Sequence, residues 1–166
     1  MLFEASLLDG AHEVIAFDCG TPSLNLWLNG QALRDQNAGQ NRTHVWTSPD
    51  DLGVVAFYSL SPIIDIRQRL AVPRSVHRGY AMIPGYLLAR LALDRTLHGQ
   101  GLGGELLVDA TSTAVEAARA GGGRVLYVDA IDDAAMRFYE HFGFVQTAVP
   151  MRLVAKISDL ADSLGR

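Results

Sequence analysis

The sequence predicts an α/β (α+β) fold, a central sheet flanked by helices. Three observations carry this. β-branched and aromatic runs are interleaved with segments of helical spacing; a turn-rich stretch, "SPDDLG", joins two such runs; and a glycine-rich turn, "LHGQGLGGELL", stands between an apolar run and the longest helical pattern.

Taken in order, "FEASLL" reads as a strand. The stretch "TPSLNLWLNGQALRDQNAG" reads as one helix. Thr21 is placed to cap it, Pro22 sits at the first helical position where a missing N–H costs nothing, Leu24, Trp27, Leu28 and Gln31 or Ala32 follow helical spacing, and Gly39 is the stop. "RTHVWT" and "GVVAFYSLSPIIDI" read as an antiparallel hairpin. An arginine-rich loop precedes "GYLLARLALD", a short apolar run ending in Asp94. The next helix, "GELLVDATSTAVEAARAG", carries Leu106, Leu107, Ala110, Ala114, Ala117 and Ala118 on its apolar face and ends at Gly121, Gly122 and Gly123. "RVLYVDA" is a buried type of strand and "DDAAMRFYEHFG" a short helix ended by Gly143. "FVQTAVPMRLVAKI" is a final strand pair or one long strand bent near Pro150. No internal repeat interrupts this order.

A chain of 166 residues fits one domain, 1–166, able to bury about 70% of the surface its unfolded form exposes. With 49% hydrophobic and 19% charged residues the composition is globular, and no apolar run approaches the roughly 18 residues of a membrane span. Met1 to Ala16 lacks the basic start and apolar stretch of a signal peptide, so a cytoplasmic location is expected. Cys19 is the only cysteine, which excludes an internal disulfide and provides no metal pair; it reads as a small packed residue, since no base for a thiol nucleophile is evident.

The net charge of −4 hides an asymmetry. Between Ile66 and Arg95 lie Arg67, Arg69, Arg74, Arg78, Arg90 and Arg95 with His77, against Asp94 alone, whereas the first part of the chain is mostly acidic. Such a local basic surface is either a footprint for a polyanion or simply a solvated loop.

Gly99, Gly101 and Gly104 match G-x-G-x-x-G, a pattern whose backbone N–H groups hold a pyrophosphate at a helix start. A dinucleotide is one reading, since a strand precedes, a helix follows, and Asp129 ends the next strand. Against it, "DRTLH" intervenes between Leu93 and Gly99, and too little chain follows Asp129 for further parallel crossovers. The other reading is the diphosphate of a different cofactor.

"HGQGLGGELL" after "LARLALD", with "FYEHFGF" further on, resembles the GCN5-related N-acetyltransferases over most of the stretch from Val54 to Phe144. That family usually has Arg or Gln where His98 stands, and many members have Asn where Asp132 stands. The resemblance implies a mixed, mostly antiparallel central sheet flanked by helices, with acetyl-CoA as cosubstrate and no metal. It implies cofactor contacts from Leu91, Ala92 and Leu93 through their backbone, from His98, Gly99, Gln100, Gly101, Leu102, Gly103 and Gly104 in the turn, and from Asp132. The N-terminal "FDCGTPSLNLWLNGQA", with "NRTHVW", "LLVDA" and "VDAIDDAAMRFYEHFGF", is similar to the acetyltransferase toxins of type II toxin–antitoxin pairs. The implied activity is acetylation of the α-amine of aminoacyl-tRNA, which blocks translation. The implied partners are that tRNA, a ribbon-helix-helix antitoxin and a second copy of the chain, with no membrane.

Within that resemblance Tyr139 is the expected general acid for the departing CoA sulfur, because a phenol holds its proton at neutral pH; on periodicity alone it would simply pack with Phe138 and Phe142. Neither Glu140 nor His141 must share its direction on a helix, and an α-amine near pKa 7.7–8.0 needs little help from a base. Arg34, Arg42, Arg74, Arg78 and Arg90 are the expected tRNA contacts through phosphates. The alternatives are an acetyltransferase for a small-molecule or protein amine, and a CoA-binding module without catalysis.

Overall fold

The computed structural model describes residues 2–66, 72 and 74–166. Its elements run β1 (Glu4–Leu7), α1 (Pro22–Gly30), α2 (Ala32–Asn37), β2 (Arg42–Thr47), β3 (Ala56–Ile66), α3 (Arg74–His77), β4 (Met82–Leu93), a 3-10 turn (Arg95–Leu97), α4 (Leu102–Gly121), β5 (Val125–Asp129), α5 (Asp133–His141), β6 (Val145–Gln146), β7 (Arg152–Lys156) and α6 (Ile157–Ser163). The strands form a seven-stranded mixed sheet in the order β1-β2-β3-β4-β5-β7-β6. Two compact units divide the chain: one comprises the chain up to Leu60 together with Arg90–Val108, the other Ser61–Ala89 and Asp109–Arg166.

In the first unit β1, β2 and the start of β3 form an antiparallel meander, with Glu4 opposite Thr47 and Arg42 opposite Leu60. The single helix expected from Thr21 to Gly39 is two. Gly30 is a weak helix former, and Gln31 leaves helical geometry at φ −127° and ψ −32°, its amide bonding Trp27 O at 2.9 Å. The break lets Leu24 and Leu28 of α1 and Ala32 of α2 all reach one core with Phe17, Val45, Phe57 and Ala92. Gln36 of α2 is buried with its amide satisfied at both ends, donating to Leu8 O (2.7 Å) and accepting from Thr43 N (2.8 Å), so α2 is pinned to the meander. Thr21 precedes α1 without a side-chain cap, and Cys19 is buried and free, as a packed residue.

In the second unit β4 and β5 run parallel, Gly85 opposite Val125 and Leu88 opposite Val128. This is the crossover that a strand, the α4 helix and a second strand require. β5 then pairs antiparallel with β7, and β7 with β6, which resolves the last apolar stretch into a strand pair. Residues Val125 to Val128 are all buried, explaining why that strand lacks polar alternation. The apolar core comprises Val72, Val76, Ile83, Val125, Tyr127 and Val154. α6, with Ile157 and Leu160 buried, follows β7 and was not among the expected elements.

The Tyr127 hydroxyl in this core is buried with no hydrogen-bond partner among the described residues. Burial and the Asp65 carboxylate push its pKa up to about 12, although Arg152 acts the other way. We expect Tyr127→Phe to raise stability by about 1 kcal/mol, because an unsatisfied buried hydroxyl is removed while the ring stays. The wild type should also lose stability as pH rises from 10, where the unfolded phenol ionises, to about 12, and the variant should lack that share of the loss. Urea unfolding across that pH range measures both effects.

Candidate active site

The parallel register of β4 with β5 ends at Leu88, short of the strand's end at Leu93. Where β4 ends, Asp94 organises the turn. Its carboxylate accepts from the Thr96 amide (3.1 Å), the Thr96 hydroxyl (2.8 Å) and the Asp18 amide (3.1 Å), and its own amide bonds Val55 O at 2.8 Å. Burial works against the charge, and these hydrogen bonds outweigh it, so the carboxyl titrates below its ordinary value. Asp94 therefore fixes the direction in which the chain leaves the strand.

His98 closes the same turn: its Nε2 lies 2.7 Å from Leu93 O. A carbonyl only accepts, so Nε2 carries the proton. The side chain thus braces the loop against the strand end. Gly99 and Gly101 follow with φ of +78° and +77°, a region costly for side-chain-bearing residues, and a Cβ at either would meet nothing within 4 Å. Conformation, rather than crowding within the protein, is what these glycines provide. Among the described residues the amides of Gly99, Gln100 and Gly101 have no backbone acceptor, and Leu102, Gly103 and Gly104 form the first turn of α4, whose N–H groups lack intrahelical partners. A row of unpaired donors at the positive end of a 20-residue helix is suited to an anion such as a diphosphate. The loop and β4's end thus fit the diphosphate and the strand-like pantetheine of an acyl-CoA.

In the second unit Tyr139 lies on α5 and is 4% exposed. It packs edge-on against Phe138 (5.4 Å between centroids) and Phe144 (5.9 Å), and its hydroxyl has no hydrogen-bond partner among the described residues. The packing reading and the proton-donor reading therefore apply to the same ring. Burial first, and the Asp129 carboxylate second, push the phenol far above its ordinary value, so it remains protonated at any physiological pH. Asp129 is itself gripped by its cross-strand neighbour Arg152 in a two-point pair (2.7 and 3.0 Å). Asp132 is exposed and caps α5, accepting from the Ala135 amide at 2.8 Å.

The basic residues separate. Arg34 is exposed on α2; Arg42 donates to Gln36 O and Asn41 O (both 3.2 Å); and Arg90 stacks 3.9 Å above the Trp27 ring. These belong to the first unit, whereas Arg74 and Arg78 belong to the second and are exposed. Arg67 and Arg69 lie outside the described residues. Arg124, Arg119 and Lys156, in the second unit with Arg74 and Arg78, were missed in sequence because they are scattered among apolar elements rather than clustered. Among the described residues no group of three or more His, Cys, Asp or Glu is placed to hold a metal, and no helix is long and apolar enough to cross a membrane.

A mixed sheet whose central strand runs into a glycine turn with unpaired amides at the head of a long helix suits an acyl-CoA-dependent transferase. Residues 41–146 match the family model described as an acetyltransferase (GNAT) domain. The chain is 35% identical over 160 residues to a tRNA-acetylating toxin of Mycobacterium tuberculosis (strain ATCC 25618 / H37Rv), covering 95% of this chain and 94% of that protein. Among solved structures, AtaT complexed with acetyl-methionyl-tRNAfMet superposes with a TM-score of 0.88 at 27% identity, covering 99% of each chain. AtaTR bound with acetyl-CoA does so with a TM-score of 0.84 at 26% identity, covering 99% of this chain and 98% of that one. The chain belongs to the GNAT acetyltransferase family and is an acetyl-CoA-dependent N-acetyltransferase.

Proposed function

We propose that this acetyltransferase is the toxin of a type II toxin–antitoxin pair and moves the acetyl group of acetyl-CoA onto the α-amine of aminoacyl-tRNA, which stops translation. The observation carrying this is the near full-length similarity to a tRNA-acetylating toxin, on a fold shared with a structure holding acetyl-methionyl-tRNAfMet. The residue roles follow from the chemistry. Acetyl-CoA supplies an activated acyl carbon as its thioester. The amides from Gly99 to Gly104 bind the diphosphate, and the backbone of Leu91, Ala92 and Leu93, beyond the register with β5, binds the acyl arm and polarises its carbonyl. The free amine attacks that carbon, the carbon–sulfur bond breaks, the Tyr139 phenol donates its hydrogen to the departing sulfur, and the proton released from the new amide nitrogen passes to water and restores the phenol. An α-amine near pKa 7.7–8.0, lowered further by esterification of its carboxyl, is largely free at neutral pH, so no strong base is required.

Arg74 and Arg78 of the second unit and Arg34 of the first are the exposed phosphate contacts; Arg42 and Arg90 already engage protein groups and contribute less. The enzyme acts in the cytoplasm, where charged tRNA is, as a homodimer restrained by a ribbon-helix-helix antitoxin. The test is incubation with labelled acetyl-CoA and total charged tRNA, then nuclease digestion and identification of the labelled product. Label is expected on the α-amine of an aminoacyl ester released by mild base; label only on free amines or protein lysines would overturn the substrate assignment.

A further inference from the structure

The second unit carries a basic recess that the acyl-transfer chemistry does not use. A cavity of about 690 Å³ is lined by Arg78, Arg119, Arg124 and Lys156 with the Ser75 and Ser158 hydroxyls, and no carboxylate lines it among the described residues. Arg78 and Arg124 also line an adjoining recess of about 580 Å³ with Tyr80, Met82 and Pro84. Arg74 lies beside Ser75 and Arg78 at a third. Five cations thus gather on one unit of a chain whose net charge is −4.

How these cations are held shows what they can do. Arg124 is fixed: one guanidinium nitrogen donates to His77 O at 3.0 Å, and its carbon lies 5.5 Å from the centre of the Tyr80 ring. Arg119 and Lys156 make only loose pairs with neighbours along the chain, Glu116 at 3.5 Å and Asp159 at 3.7 Å, with the two basic side chains 53% and 33% exposed. Such pairs are worth little in water, so a phosphate can take their place. Glu116 also has a second partner, Arg166, at 2.6 Å. Tyr80, next to this group, is 65% exposed, and Met82 is 59% exposed.

We infer that this recess is a second nucleic-acid site, in which Arg78, Arg119, Arg124 and Lys156 hold backbone phosphates of the tRNA while the Tyr80 ring stacks on an unpaired base. The inference rests on the proposed tRNA substrate and extends its contacts from Arg78, already among them, to Arg119, Arg124, Lys156 and Tyr80, which are not. Four of the five cations are arginines, whose planar forks suit phosphate oxygens. An acidic peptide would also satisfy them, but it has no use for an exposed aromatic platform beside them; alternating cations and aromatic rings are what single-stranded nucleic acid needs.

The test measures binding of deacylated tRNA by fluorescence anisotropy over a range of salt, together with acetyl-CoA affinity and the KM for charged tRNA. The proteins are wild type, Arg119→Glu/Lys156→Glu, Tyr80→Ala and Tyr80→Phe. The double variant is expected to bind tRNA about tenfold or more weakly at low salt, with a log–log salt slope smaller by roughly 1.4–1.8, and with unchanged acetyl-CoA affinity. Tyr80→Ala should bind about tenfold more weakly with no change in slope, and Tyr80→Phe should bind like wild type. Wild-type affinity and slope in the double variant, whatever its activity, would overturn the site while leaving the tRNA-acetylation reading intact. Failure of the wild type to acetylate charged tRNA, with the salt and Tyr80 effects present, would sink that reading and keep the site. Loss of affinity for an oligo-aspartate peptide without loss for tRNA overturns the site in favour of an acidic protein partner.

Discussion

Replacing Tyr139 by phenylalanine is expected to lower turnover by about 10²- to 10⁴-fold while acetyl-CoA affinity and melting temperature stay close to wild type. The ring is the part that packs: its edge-on contacts with Phe138 and Phe144 survive the change. Only the hydroxyl is lost, and among the described residues it bonds to nothing, so removing it leaves no partner stranded. Burial and the Asp129 carboxylate keep the phenol protonated well above its ordinary pKa of 10. The rate should therefore show no falling limb from this group below pH 10, and any rise between pH 6 and 8 should report the substrate amine in both proteins. Single-turnover kinetics over that range, with acetyl-CoA binding measured separately, checks the prediction. Turnover within a few-fold of wild type would leave Tyr139 a packing residue.

Gly85→Ala is expected to be the most damaging small substitution in the chain, costing about 3 kcal/mol or preventing folding. Gly85 sits in β4 directly opposite Val125 of β5. A Cβ at this position would overlap the Val125 carbonyl oxygen and lie 2.6 Å from its Cγ2. The neighbour is backbone in a strand buried on both faces, so it has no cheap direction in which to move. Urea unfolding of the variant, with Gly99→Ala alongside, separates causes: Gly99 has open space around a new Cβ and pays only for its left-handed backbone. A Gly85→Ala protein as stable as wild type would show that β4 and β5 pair more loosely than their register indicates.

Much of this was legible in the residues. Hairpin, crossover helix and buried β5 follow from β-branched runs, helical spacing and the glycine stops, because those patterns act within a few residues. The glycine turn was legible for the same reason: the left-handed backbone of Gly99 and Gly101 is a local feature of the sequence. The break at Gln31 was not, because its benefit arises only when α1 and α2 share a core with Phe57 and Val45. α6 was missed because Ile157 and Leu160 follow β7 with no punctuation, Lys156 itself standing at the helix start. The importance of Gly85 is not local, since it lies in a strand about 40 residues away that only the parallel pairing brings opposite it. The arginines of the 66–95 stretch were counted by proximity along the chain. In the fold Arg90 is spent on Trp27, while Arg119, Arg124 and Lys156 join Arg74 and Arg78 from elements far along the sequence.

Neither compact unit is a continuous piece of polypeptide: the first is completed only by Arg90–Val108, and the second opens at Ser61 and closes at the C-terminus. On the ribosome, which emits the chain from its N-terminal end, the meander of β1 to β3 must wait for the end of β4 before its core residue Ala92 arrives, and Tyr139 emerges later still. A chain halted before Arg90 consequently lacks Ala92 from the first unit's core. The first unit therefore closes only once Ser61–Ala89 of the second has been synthesised, because the segment that completes it follows that stretch.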